Sequence, residues 1–95
     1  MTVRNKITER DRKIGEVFEN YRKELSLKKN SREFFIEDRI NCGLLPEDWL
    51  SVKSLTNLEL GKNFPSYATL KMLAVAYEIE FLDLIREIER VSAKY

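Results

Sequence analysis

The side chains with chemical capacity are mostly charged: seventeen Lys and Arg, sixteen Asp and Glu, one cysteine (Cys42) and no histidine. Without histidine the commonest general base and metal ligand is missing. One cysteine makes neither an internal disulfide nor a zinc set. No Gly-rich phosphate loop occurs. The carboxylates are scattered among basic residues at spacings that suit solvated helix faces. Cys42, next to Gly43, fits a small packing residue near a helix end better than a nucleophile. The expectation is a chain with no catalytic residues, no metal and no cofactor. What remains open to it is recognition, through hydrogen bonds and charge presented on a surface.

That surface needs elements to hold it, and the apolar spacing predicts them. Ninety-five residues fit one small domain, and three glycines and two prolines leave room for uninterrupted helices. Residues 1–12 read as an N-terminal arm or a frayed helix start, ahead of a single domain over 13–95. Asp11 is placed to cap a helix carrying Ile14, Val17, Phe18, Tyr21 and Leu25 on one stripe. A second helix begins near Ser31, carries Phe34, Phe35, Ile36 and Ile40, and stops at Cys42-Gly43. Pro46 suits a turn or a short helical piece, and Trp49 a core or dimer contact. Ser51 is a natural cap for a third helix over Val52 to Leu60, with Leu55 and Leu58 buried and Gly61 closing it. Lys62 to Pro65 reads as a loop. Ser66 caps a fourth helix with Leu70, Leu73, Ala74 and Tyr77 inward, and a fifth runs from about Phe81 to Ser92.

Charge is uneven along the chain. Up to Arg32 there are ten Lys/Arg against five Asp/Glu; from Glu33 onward there are seven against eleven, for a formal total of +1. Such a gradient can place positive charge on one side of the fold. Apolar runs are far short of the ~20 residues needed to span a bilayer, and no charged segment precedes an apolar signal core. A cytoplasmic protein with no membrane partner is expected.

The run Leu50-Ser51-Val52-Lys53-Ser54-Leu55-Thr56-Asn57-Leu58-Glu59-Leu60-Gly61-Lys62-Asn63-Phe64-Pro65-Ser66 resembles the centre of the Cro/CI-type, or Xre-like, helix-turn-helix regulators. Tyr67 to Ile79 is similar to that family's next helix, and Phe81-Leu82-Asp83-Leu84-Ile85 to its usual ending. Ile14 to Ser26 is similar to its first helix, with Arg22 at the customary basic position. Two stretches, Lys28 to Asn30 and part of Cys42 to Trp49, look inserted. The resemblance implies an all-α, five-helix, lambda-repressor-like DNA-binding domain with a lengthened segment before the recognition helix. It implies a transcriptional regulator, a repressor that binds a double-stranded DNA operator of paired half-sites as a homodimer.

On that resemblance, Val52, Lys53, Thr56 and Asn57 are the base-contacting residues, projecting opposite Leu55 and Leu58. Lys53 can donate to guanine O6/N7, Asn57 can pair bidentately with adenine, and Val52 can meet a thymine methyl. Ser51, Arg32, Lys62 and Asn63 are the expected phosphate contacts, with Lys28 and Lys29 nearby. Glu59 is expected to be structural, bonding to backbone or to a helix-one base such as Arg22. Phe81, Leu84, Ile88, Val91 and Tyr95 recur at heptad spacing and are the expected dimerisation stripe, the competing reading being that they complete the monomer core. Leu82 and Ile85 form a second row suited to packing on the domain. Two other readings remain: a protein-binding module on the same fold (antitoxin, anti-repressor or phage-encoded inhibitor), and an adaptor for single-stranded nucleic acid or RNA, for which interleaved exposed aromatics are not evident.

Overall fold

In a computed structural model, which describes residues 6–95, the chain forms five helices, and no strand occurs among the described residues. They are α1 (Glu9–Glu24), α2 (Arg32–Asn41), α3 (Val52–Glu59), α4 (Tyr67–Tyr77) and α5 (Phe81–Ser92). Three begin on the expected kind of cap: Ser31, Ser51 and Ser66 accept from the backbone N–H of Phe34, Ser54 and Thr69. Each such cap stabilises its helix by about 1 kcal/mol. The start of α1 differs from expectation. Its cap is Thr8, not Asp11; Asp11 is the third helical residue and its carboxylate accepts from the Thr8 N–H, 3.1 Å away. The helix therefore reaches into the expected arm, because two reciprocal bonds offset the weak apolar pattern there. Residues 1–5 of that arm lie outside the described residues.

Helix ends are as well defined as their starts. After α3, Gly61 adopts φ 80°, its N–H donates to Leu58 and that of Lys62 to Asn57. This left-handed turn satisfies two carbonyls that the helix leaves open. Gly43 closes α2 in the same way, donating to Ile40 while Leu44 donates to Arg39. Glu78 does it for α4 at φ 58°, a conformation that costs a non-glycine residue about 1–2 kcal/mol. Arg39 offsets that cost. Its side chain is buried, and its Nη1 donates to the Ala76 carbonyl (3.2 Å) and to the Glu78 carboxylate (2.9 Å). One arginine thus ties α2 to the end of α4.

The core joins Ile14, Val17 and Phe18 of α1 to Phe35 and Ile36 of α2, Leu55 and Leu58 of α3, Leu70, Leu73 and Tyr77 of α4, and Leu84 and Ile88 of α5. α1 packs on both α3 and α5, α2 packs on α3, and α4 packs on α5. Trp49, between α2 and α3, is a core residue: it stands edge-on to Phe35 with ring centres 5.9 Å apart, and its Nε1 donates to the Ile36 carbonyl at 3.4 Å. The segment between α2 and α3 is therefore stapled to α2. Tyr77 stacks on Tyr21 and Phe35, and its hydroxyl donates to the Phe18 carbonyl at 3.0 Å. Burial pushes the Tyr77 phenol well above its ordinary pKa of 10.0.

The heptad row of α5 is used within the domain. Leu84 and Ile88 are buried, while Phe81 and Val91 are partly buried against the same core. Only Tyr95 of that row is largely exposed. In the second row Ile85 packs on the core as expected, but Leu82 is 60% exposed. A heptad stripe and a core-facing helical stripe differ by only ~20° per heptad, so the spacing alone did not say which body it would meet.

Candidate nucleic-acid interface

At 100° per residue, Val52, Thr56, Lys53 and Asn57 occupy an arc of roughly 140° on α3. Leu55, Leu58 and Glu59 fill the buried side. Val52 and Lys53 are exposed, and Thr56 and Asn57 are half-buried. Thr56 donates its hydroxyl to the Val52 carbonyl at 2.8 Å, so outward it offers lone pairs and a methyl group. Ser51 is exposed and caps the helix, and its hydroxyl also bonds that of Ser54 at 2.9 Å. The four residues thus combine a cation, an amide, an acceptor and an apolar group on one short helical face.

That face is held from behind at two places. First, α1 and the end of α3 touch backbone to backbone. A Cβ on Gly15 would lie 2.5 Å from the Glu59 carbonyl oxygen, and one on Gly61 would lie 2.6 Å from that of Asp11. Secondly, the Glu59 carboxylate is wholly buried and accepts three charged N–H groups. Arg22 approaches through Nε at 2.7 Å and Nη2 at 2.9 Å, and Arg32 through Nε at 2.8 Å. Arg22 is itself buried and also donates to the Asn30 carbonyl. Its hydrogen bond with Glu59 raises the Arg22 pKa above the ordinary value, against the opposing effect of burial. This ion knot fixes the end of α3 to α1 and to the start of α2. The expected Glu59–Arg22 pairing is present; Arg32 joining it was not foreseen from sequence.

The expected phosphate set divides. Ser51 is exposed at the start of α3, and Lys28 and Lys29 are exposed in the turn before α2. Lys62 is half-buried beyond the end of α3. Arg32 is bound to Glu59 and lies 4.0 Å from Glu19, so it acts first as a positioning group for the helices. Asn63 does not fit the part expected of it: it is buried, with only 7% of its surface exposed, and its Oδ1 has no hydrogen-bond partner. The turn that closes α3 bends Asn63 inward, where its N–H donates to the Asn57 carbonyl.

No cluster of three or more His, Cys, Asp or Glu among the described residues is placed to hold a metal ion. No helix among them is long and apolar enough to cross a membrane. Compared with known proteins, the chain matches no family model, no curated protein sequence and no solved structure.

Proposed function

We propose that the chain is a sequence-specific regulator of double-stranded DNA with the lambda-repressor-like helix-turn-helix arrangement. On this reading α2 and α3 are the paired helices and α3 enters the major groove. The observation that carries it is the α3 face itself: Val52, Lys53, Thr56 and Asn57 on one arc, backed by the buried Glu59 knot. Recognition helices need such a face held rigidly, because base edges are read at hydrogen-bond distances. Ser51, Lys28, Lys29 and Lys62 supply phosphate contacts, which fix register without reading sequence. Repression follows from occupancy of an operator, with no chemistry required.

A homodimer supports this role, since one eight-residue helix makes few base contacts and two half-sites double them. Its interface differs from the heptad row. Leu82 (60% exposed) and Tyr67 (65%) are the most open large apolar side chains among the described residues, and the Tyr67 and Phe81 rings meet edge to face at 5.4 Å. A second copy covering this α4–α5 side removes apolar surface from water without unpacking Leu84 or Ile88.

The experiment is selection from random duplexes followed by titration of the selected site at several salt concentrations. Each phosphate contact contributes about −0.9 to the log–log salt slope, so Lys62→Ala makes the slope shallower by roughly one unit per monomer. No enrichment of any duplex, or a flat salt dependence, removes the DNA-binding reading and leaves the protein-binding module.

A further inference from the structure

Beside the start of α3, along α2, runs a groove of about 630 Å³. Its apolar lining comes from Phe34, Ile36 and Ile40 of α2 and from Leu50 and Val52 at the entrance to α3. Phe34 is half-buried but belongs neither to the core nor to the shell of apolar residues packed on it. A further concave stretch of about 310 Å³ shares Glu37, Ile40, Asn41 and Glu47 with the groove and prolongs it along α2. The rim is acidic. Glu33, Glu37 and Glu47 are exposed and have no ion pair or side-chain hydrogen bond among the described residues, while Asp38 is engaged by Arg39. Lys29 is the one base in the lining.

Glu33 and Glu37 stand four apart on α2, where like charges repel and destabilise an isolated helix. Several other carboxylates of the molecule have local bases (Glu9 with Arg12, Glu16 with Lys13, Asp83 with Arg86 and Glu87 with Arg90), and those without one, such as Glu24, Glu80 and Glu89, do not border this groove. An apolar floor with an unbalanced acidic rim complements a helix that is apolar on one side and basic on the other. The same carboxylates repel phosphate, so the groove is not a path for nucleic acid. The segment between α2 and α3 builds one wall, since Glu47 and Leu50 come from it.

We propose that this groove between α2 and residues 47–52 receives a basic amphipathic segment of a partner protein. Its occupant touches Ser51 and Val52, the first residues of the α3 face, and thereby excludes DNA from that face. The exclusion, unlike the groove, rests on the DNA-binding reading.

The test titrates the whole chain, without DNA, against a fluorescent fourteen-residue peptide of leucine and lysine, with leucine at i, i+3, i+4 and i+7. A matching leucine–glutamate peptide is the control. Amide chemical shifts map the site. The lysine peptide is expected to bind, shifting Phe34, Glu37, Ile40, Asn41 and Leu50, while the glutamate peptide does not. Glu37→Lys with Glu47→Lys is expected to weaken binding at least tenfold; Glu80→Lys with Glu89→Lys, on the far helix, changes it less than twofold. All four are exposed positions, and circular dichroism confirms that each variant folds. Shifts centred on Tyr67 and Leu82, equal loss in both charge-reversed pairs, or no binding overturns the groove. Groove binding that leaves duplex affinity unchanged overturns the exclusion alone.

Discussion

Replacing Glu59 by glutamine tests the geometry behind the α3 face. The carboxylate side chain is fully buried and takes three hydrogen bonds, two from Arg22 with 4% of its side chain exposed and one from Arg32 with 28%. Glutamine keeps the volume but loses the charge, and it turns one accepting oxygen into a donor that faces guanidinium. Arg22 is then a buried cation without its counter-ion. Removing one partner of a buried pair costs about 3–5 kcal/mol. A domain of this size has a total stability on the order of 5–14 kcal/mol, so the variant loses a large share of it. The midpoint of thermal unfolding should fall by roughly 12–40 °C, and denaturant titration should show the loss with an unchanged m-value. Arg32→Ala, which removes a partly solvated partner, should cost less than half as much. Arg22→Met combined with Glu59→Leu should recover much of the stability, because no buried charge is left alone. A Glu59→Gln variant within 1 kcal/mol of the parent would refute the reasoning, since it would mean that water or another group neutralises Arg22.

Gly15→Ala should destabilise by about 2–4 kcal/mol in the same titration, because its Cβ would meet the Glu59 backbone at 2.5 Å and α1 and α3 would have to part. Tyr77→Phe should cost about 1 kcal/mol at neutral pH through loss of the bond to Phe18. The raised Tyr77 pKa means that the folded state keeps the phenol protonated while the unfolded chain ionises; stability is whole below pH 10 and falls as pH climbs from there toward the folded value. Titrated across that window, Tyr77→Phe should show a shallower fall than the parent, the remainder coming from Tyr21, which is also shifted upward by burial. In sedimentation, Leu82→Asp should yield a folded monomer, whereas Ile88→Asp should unfold the chain; a folded dimer from Leu82→Asp rejects the α4–α5 interface.

Much of the fold was legible because the helices are amphipathic and three of the four hydroxyl caps, Ser31, Ser51 and Ser66, stand directly before an apolar-periodic run. Leu55 and Leu58 sufficed to place the buried side of α3, and with it the exposed arc. Where the reading departed, the deciding contact was distant in sequence or had no periodic signature. Asn63 is polar and follows a lysine, so it resembles a surface residue; the Gly61 turn, not its own chemistry, buries it. Arg32 sits at a helix start where a phosphate contact is natural, yet Glu59, twenty-seven residues on, lies closer. The α5 stripe was visible, but not whether it met this domain or another copy. The acidic groove left a faint trace in Glu33 and Glu37, four apart, and only the position of Glu47 across from them makes it a rim.

The α3 face itself is tested most directly by competition binding of the selected duplex against a panel of duplexes with single base-pair substitutions. If Lys53 and Asn57 read bases, Lys53→Ala and Asn57→Ala should each lose about 1–3 kcal/mol on the selected site and relax preference at one position per half-site. Lys62→Ala should weaken every duplex about equally. Uniform loss with Lys53→Ala and Asn57→Ala, and no relaxed position, would contradict base reading by this helix face.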